Sequence, residues 1–299
     1  MIGQHPDLYC FPELHLFVED TVGEILDREA RRGKNYTGPP GVLRALAELH
    51  YGMQTTGTII KAGAWMVERR DWTTKQLVDH LCALVAPRIA VEKSPVTCSN
   101  AAFLERTYSY YPDAYYLHLT RHPIATRKSM DEFFGGHTKI RARRTRSRSM
   151  KLDSLLVWYR MHRNIMEFAE KLPLGQVMRL KGEDLLSEPD RYLPQLADWL
   201  GVRTDQAAIE EMKHPERSPY ARVGPAPARG GNDGKFMRSP VLREGRVREP
   251  SLRDALATQE ISWVSEEGRR MFQEAGFDFR PEAEISGEVE GLAHGLGYL

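Results

Sequence analysis

Three short runs of β-forming residues, each halted by a polar turn and followed by a helical stretch, limit this chain to few architectures. Arg88-Ile-Ala-Val-Glu92 runs into Lys93-Ser94-Pro95. Ala114-Tyr-Tyr-Leu-His-Leu-Thr120 stops at Arg121-His122-Pro123, and Gln176-Val-Met-Arg-Leu180 meets Lys181-Gly182-Glu183-Asp184. Strands that alternate with helices predict an α/β fold, with a mostly parallel sheet and helices on its faces. Ligands of such sheets gather beyond the carboxyl ends of the strands. Each of these strand ends places a cation at once, which suits an anionic ligand.

The helical stretches read as 41–52, 73–85, 100–108, 124–134, 153–172, 189–200 and 262–275. In the second, Leu77, Leu81, Leu84 and Val85 recur at helical spacing after the cap candidates Thr73-Thr74, and Pro87 ends the run. Pro123 suits the first position of the fourth. Residues 219–240 are a long loop rich in Gly and Pro, a kind of loop that often carries function.

Composition then excludes classes. Of 299 residues, 41% are hydrophobic and 28% charged, which is a globular balance. The net charge of +1 argues against a nucleic-acid partner. Cys10, Cys82 and Cys98 form no C-x-x-C pair, so no disulfide framework or zinc ribbon is expected. No apolar run reaches the ~18 residues a membrane span needs. Asp7, Glu13, Glu19 and Asp20 fall where a secretory signal would be apolar. A soluble, cytoplasmic protein with no membrane partner is the expectation. The run from Lys139 to Lys151 holds seven cations and no acid, and reads as a solvated loop.

One segment carries a resemblance. Tyr115-Tyr-Leu-His-Leu-Thr-Arg121-His-Pro-Ile-Ala-Thr-Arg-Lys-Ser129 resembles the 3′-phosphate-binding strand, turn and helix of the sulfotransferases. Further segments agree in order. His5-Pro-Asp-Leu-Tyr-Cys-Phe-Pro-Glu13-Leu-His-Leu-Phe is similar to the stretch that holds an acidic catalytic residue in many members. Val91-Glu-Lys93-Ser-Pro and Leu180-Lys-Gly-Glu183-Asp184-Leu-Leu resemble two of the family's turns. His214-Pro-Glu-Arg-Ser-Pro-Tyr and Gly231-Asn-Asp-Gly-Lys-Phe236 resemble bacterial members, some fused to polyketide assembly lines.

The resemblance implies a P-loop NTPase-like three-layer α/β sandwich, with a sulfotransferase domain over 1–285 and a tail over 286–299. It implies 3′-phosphoadenosine-5′-phosphosulfate as co-substrate, no metal, and an acceptor hydroxyl as partner. Arg121 and Ser129 are then expected on the 3′-phosphate, where a guanidinium fork and a hydroxyl both donate. Gly231, Asn232 and Lys235 are expected to bind the same co-substrate. Lys93 is expected to offset charge on the leaving group. Glu13 or His214 is expected to take the acceptor's proton. Glu13 sits in an apolar stretch, so desolvation is expected to raise its pKa. His15 reads as a packed core histidine. His118 and His122 lie on a strand and its turn, so no metal pair is expected there.

The family also opens on a strand and a Gly/Ser/Thr-rich loop that cradles the 5′-phosphosulfate. Only Met1-Ile2-Gly3-Gln4 precede His5, so that strand and loop are expected to be missing, by a late start or by truncation. A non-catalytic remnant with weak nucleotide binding, or a nucleotide kinase, are the rival readings.

Overall fold

Thr73 and Gln76 show how the sequence sets its own element boundaries. In the computed structural model, the Thr73 hydroxyl accepts the Gln76 N–H at 3.1 Å and Gln76 Oε1 accepts the Thr73 N–H at 2.8 Å. This reciprocal cap starts a helix that buries Leu77, Val78, Leu81 and Val85 along one face. The structure describes residues 1–31, 38–134, 138–139, 151–152, 154–245, 251–252 and 282–298. The basic segment 140–150 and the expected helix 262–275 with Trp263 lie outside them.

In chain order the elements are β1 (Leu8–Cys10), α1 (Val22–Arg31), α2 (Pro40–Tyr51), α3 (Thr56–Val67), α4 (Thr74–Val85), β2 (Ile89–Val91), α5 (Ala101–Tyr110), β3 (Tyr116–Thr120) and α6 (Pro123–Phe134). There follow β4 (Thr138–Lys139), β5 (Lys151–Leu152), α7 (Ser154–Ala169), β6 (Val177–Lys181), α8 (Gly182–Ser187), α9 (Pro189–Trp199), α10 (Gln206–Met212), α11 (Gly234–Arg238) and α12 (Glu282–Gly295). The protein is thus mixed α/β with parallel sheets, as the strand–helix alternation predicts. It divides into two compact units, Met1–Tyr115 with Asp184–Gly245 and Tyr116–Glu183 with Arg246–Leu299.

In the first unit β1 and β2 pair in parallel, with Leu8 opposite Ile89 and Cys10 opposite Val91. Its core is built by Leu14, Leu16, Ile25, Leu43, Leu46, Ile59 and Leu77, all at most 1% exposed. Among the elements here that were not foreseen from the sequence, β1, α1 and α3 show why. β1 has three residues, too few for a period to show. α1 buries Val22, Ile25, Leu26 and Glu29, a helical spacing that ends in a charged residue. α3 contains Gly57 and Gly63, which weaken a helix by propensity. A Thr55–Thr58 capping box and a buried face of Ile59, Ala62, Gly63 and Met66 override that preference.

In the second unit β3 and β6 pair in parallel, with Tyr116 opposite Val177 and Thr120 opposite Lys181. β4 and β5 form a short antiparallel ladder. Leu155, Leu156, Trp158 and Tyr159 of α7 pack with Val289, Ala293, Leu296 and Tyr298. Residues 286–295 lie in α12, and the turn after it is fixed by the Tyr298 N–H on the Ala293 carbonyl at 2.9 Å. Among the described residues no helix is long and apolar enough to cross a membrane.

Candidate functional site

Glu13 and Lys93 follow neighbouring parallel strands, so the sheet itself brings them together. Lys93 Nζ donates to Glu13 Oε1. On the other side His15 Nε2 lies 3.4 Å from Glu13 Oε2. Burial alone would raise the Glu13 carboxyl, but His15 and Lys93 together outweigh it and hold the group below its ordinary value. The raised pKa expected for Glu13 is thereby corrected: the apolar residues around it are real, yet the Lys93 ammonium and the His15 ring meet the carboxylate.

The backbone here is crowded and fully bonded. Glu13 N–H donates to the Gly231 carbonyl at 2.7 Å. Gly41, in the first turn of α2, packs so closely that a Cβ on it would stand 2.0 Å from the Glu13 carbonyl oxygen. Gly231, at φ +101°, presses on Gly41 in turn, its own would-be Cβ 2.9 Å from the Gly41 Cα. Only residues without side chains fit this contact.

His15 is not the packed core residue expected. It stands at φ 55°, in the left-handed region, with its side chain 32% exposed. Its N–H donates to Ser94 Oγ at 2.9 Å, and its carbonyl accepts Arg28 Nη2 at 3.3 Å. Ser94 is buried and donates to Glu92, whose Oε1 also accepts the Leu14 N–H at 3.3 Å. Burial raises the Glu92 carboxyl, opposed by those hydrogen bonds.

The loop 219–240 reaches this turn through Arg44, a residue the sequence did not single out. Arg44 is 1% exposed. Its guanidinium donates to Gln54 Oε1 at 2.6 Å, to the Arg222 carbonyl at 2.8 Å and to the Gly230 carbonyl at 3.0 Å. It also lies 5.7 Å from the Tyr220 ring centre. An arginine amid Val42, Leu43, Ala45 and Leu46 was the available signal. Asn232 Nδ2 donates to the Tyr220 carbonyl at 3.4 Å, and Lys235 is exposed in the first turn of α11, which Asp233 caps. His214 meets Glu216 Oε1 through Nδ1 at 2.9 Å and lies 3.8 Å from Glu210 through Nε2.

In the second unit Arg121 leaves β3 with its side chain exposed and without a partner among the described residues. Its main chain is firmly held. Trp158 Nε1 donates to the Arg121 carbonyl at 3.0 Å. The next N–H, of His122, donates to the buried Glu183 at 2.9 Å. His122 Nδ1 accepts the Ile124 N–H at 3.2 Å and so caps α6, on which Ser129 is half-buried. His118 pairs with His162 at 2.8 Å, not with His122. Among the described residues no three His, Cys, Asp or Glu groups cluster as a metal site would need.

In the first unit an ammonium stands beside a carboxylate at the strand ends, equipment for an anion and a proton. In the second unit a guanidinium stands exposed at its own strand end. A search of curated protein sequences finds no significant match. Among solved structures, the sulfotransferase domain from the curacin biosynthetic pathway matches with a TM-score of 0.62 at 22% identity, over 93% of this chain and 92% of that one. The sulfotransferase domain from the Synechococcus PCC 7002 olefin synthase matches with a TM-score of 0.61 at 21% identity, over 93% and 89%. At such identities the likeness is one of fold. The sequence model of the Sulfotransferase family matches residues 1–206. More than half of the chain lies within that match, and the chain belongs to the Sulfotransferase family.

Proposed function

We propose that this protein moves a sulfuryl group from 3′-phosphoadenosine-5′-phosphosulfate to an acceptor hydroxyl by in-line displacement. The observation that carries the reading is the Glu13–Lys93 pair at the carboxyl ends of two adjacent parallel strands, in a chain of this family. The attacking oxygen must lose a proton while the departing phosphate oxygen gains charge. A proton-accepting site built around the Glu13 carboxylate and an ammonium held beside it meet both needs. Lys93 is 53% exposed, so it can turn from Glu13 to the leaving oxygen without unburying itself.

In this reading Arg121 and Ser129 hold the 3′-phosphate. A planar fork of donors matches phosphate oxygens, and an arginine with no other described partner gives up no bond to do so. Gly231, Asn232 and Lys235 are assigned to the same co-substrate, on the loop that Arg44 fixes. The test offers the protein ³⁵S-labelled phosphosulfate donor with a panel of alcohols, and γ-labelled ATP in parallel. Label leaving the phosphosulfate donor, with adenosine 3′,5′-bisphosphate formed and ATP untouched, is the expected result. Transfer from ATP alone would replace this reading with a kinase.

A further inference from the structure

We propose that His15 receives the acceptor's proton, and that Glu13 is the carboxylate that holds its ring. The inference deepens the sulfuryl-transfer reading and rests on it. Both oxygens of Glu13 already face cationic or proton-bearing partners, Lys93 on Oε1 and His15 on Oε2. A carboxylate so compensated is a poor proton acceptor near neutral pH, and its lowered pKa agrees. It is a good anchor for an imidazole. An anion 3.4 Å from Nε2 selects the tautomer with hydrogen on that nitrogen. Nδ1 then carries the lone pair. Among the described residues nothing bonds Nδ1, and the side chain is 32% exposed.

The rival histidine lacks such a nitrogen. His214 has Glu216 at Nδ1 and Glu210 near Nε2, so each ring nitrogen faces a carboxylate. The backbone adds an independent observation. His15 is the one non-glycine residue at positive φ among the described residues. That conformation is strained for a residue with a side chain and persists only where the surroundings over-determine it, a situation that clusters at active sites. Ser94 and Arg28 fix its N–H and carbonyl, and Glu92 fixes Ser94.

The step balances without a further reactant. The acceptor oxygen bonds to sulfur as its proton passes to His15 Nδ1. The bond from sulfur to the 5′-phosphate oxygen breaks, and its electron pair leaves with adenosine 3′,5′-bisphosphate. Glu13 faces the Nε2–H of the resulting imidazolium throughout.

The experiment measures sulfate release from 3′-phosphoadenosine-5′-phosphosulfate, with water as acceptor, for the wild type, His15→Asn, Glu13→Gln and the double variant. Asparagine tolerates left-handed backbone, so the turn survives. His15→Asn should lose roughly 10²–10⁴-fold in turnover. The double variant should be no worse than the worse single one, because base and holder act as a unit. Wild-type turnover in His15→Asn overturns the assignment and leaves the sulfuryl-transfer reading standing. A wild type that transfers nothing counts against that reading instead, and ¹⁵N chemical shifts then decide the inference by themselves. Hydrogen on Nε2 of His15, with the preference lost in Glu13→Gln, supports it; hydrogen on Nδ1 in the wild type overturns it.

Discussion

Glu183 accepts the main-chain N–H of His122 at 2.9 Å, so a buried carboxylate at the exit of β6 fixes the turn that presents Arg121 from β3. Its other oxygen accepts the Tyr298 hydroxyl at 3.0 Å, and that hydroxyl lies 2.8 Å from Thr120 Oγ1. The exposed guanidinium is thus mounted on a main chain with little freedom. For the proposed 3′-phosphate contact, the backbone share of the ordering entropy is lost on folding, before any ligand arrives.

Arg121→Ala should weaken adenosine 3′,5′-bisphosphate far more than adenosine 5′-monophosphate. Only the first has the 3′-phosphate. A charge-assisted contact implies a loss of about 1.5–3 kcal/mol for it. Calorimetry on the folded variant checks this, and equal losses for both nucleotides would remove Arg121 from the 3′-phosphate.

Gly41→Ala sets two effects against each other. Alanine in place of glycine favours a helix by about 1 kcal/mol. The added Cβ, however, would stand 2.0 Å from the Glu13 carbonyl oxygen. Overpacking against backbone costs about 1–3 kcal/mol, and the far side of Gly41 is closed by Gly231. We expect net destabilisation in urea, together with a displaced Glu13 and lost turnover. A variant as stable and as active as the wild type would show that the contact yields.

Arg44→Leu should lower stability by about 2–4 kcal/mol. Two main-chain carbonyls and Gln54 Oε1 lose their donor, and a buried acceptor left unmade costs about 1–3 kcal/mol. Arg44→Lys should recover little of it, since one ammonium cannot span the fork. Urea midpoints with an unchanged slope are the measurement, and full rescue by lysine is the contrary result.

Acid should weaken the fold through His118 and His162. Arg179 Nε donates to His118 Nδ1 at 3.3 Å, which sets the proton of His118 on Nε2, shared with His162 Nδ1. Burial first, then His162 and Arg179 for His118 and Arg179 for His162, brings the pair to about 3 and about 4, from the ordinary 6.5. The sign follows. Between these values and 6.5 the unfolded chain binds protons that the folded one refuses. The stability is fully present above pH 6.5 and is lost as pH falls through the window toward the folded values. His162→Gln keeps an acceptor for His118 and removes one titrating ring. The slope of stability against pH in that window should shrink by up to ~1.4 kcal/mol per pH unit. An unchanged slope would assign the acid sensitivity elsewhere.

Local patterns made much of this protein legible, and distant contacts made the rest opaque. The strands at 88–92, 114–120 and 176–180 were readable because β-forming runs stop at sharp turns. Lys93 and Arg121 were readable as groups at strand ends, and Glu13 as an acid in an apolar stretch resembling the family's. His15 was not: its conformation depends on Ser94, 79 residues away. The pKa of Glu13 moved opposite to expectation for the same kind of reason, because Lys93 is 80 residues distant. Arg44 looks like one polar position in an apolar helix until residues 222 and 230 close over it. The end of the chain, with its glycines and acids, gave little sign that Val289, Ala293 and Tyr298 would be buried.

The bond from Glu13 N–H to the Gly231 carbonyl also sets a schedule. A ribosome adds about 5–20 residues per second, so some ten to forty seconds of synthesis separate the two partners. Throughout that interval the acidic turn has been made but lacks its lid of backbone, and Arg44 waits for the carbonyls that will neutralise its isolation. A nascent chain released before Gly231 would carry Glu13, His15 and Lys93 and still not hold them in place. Assembly of the turn therefore waits on a residue translated long after Glu13.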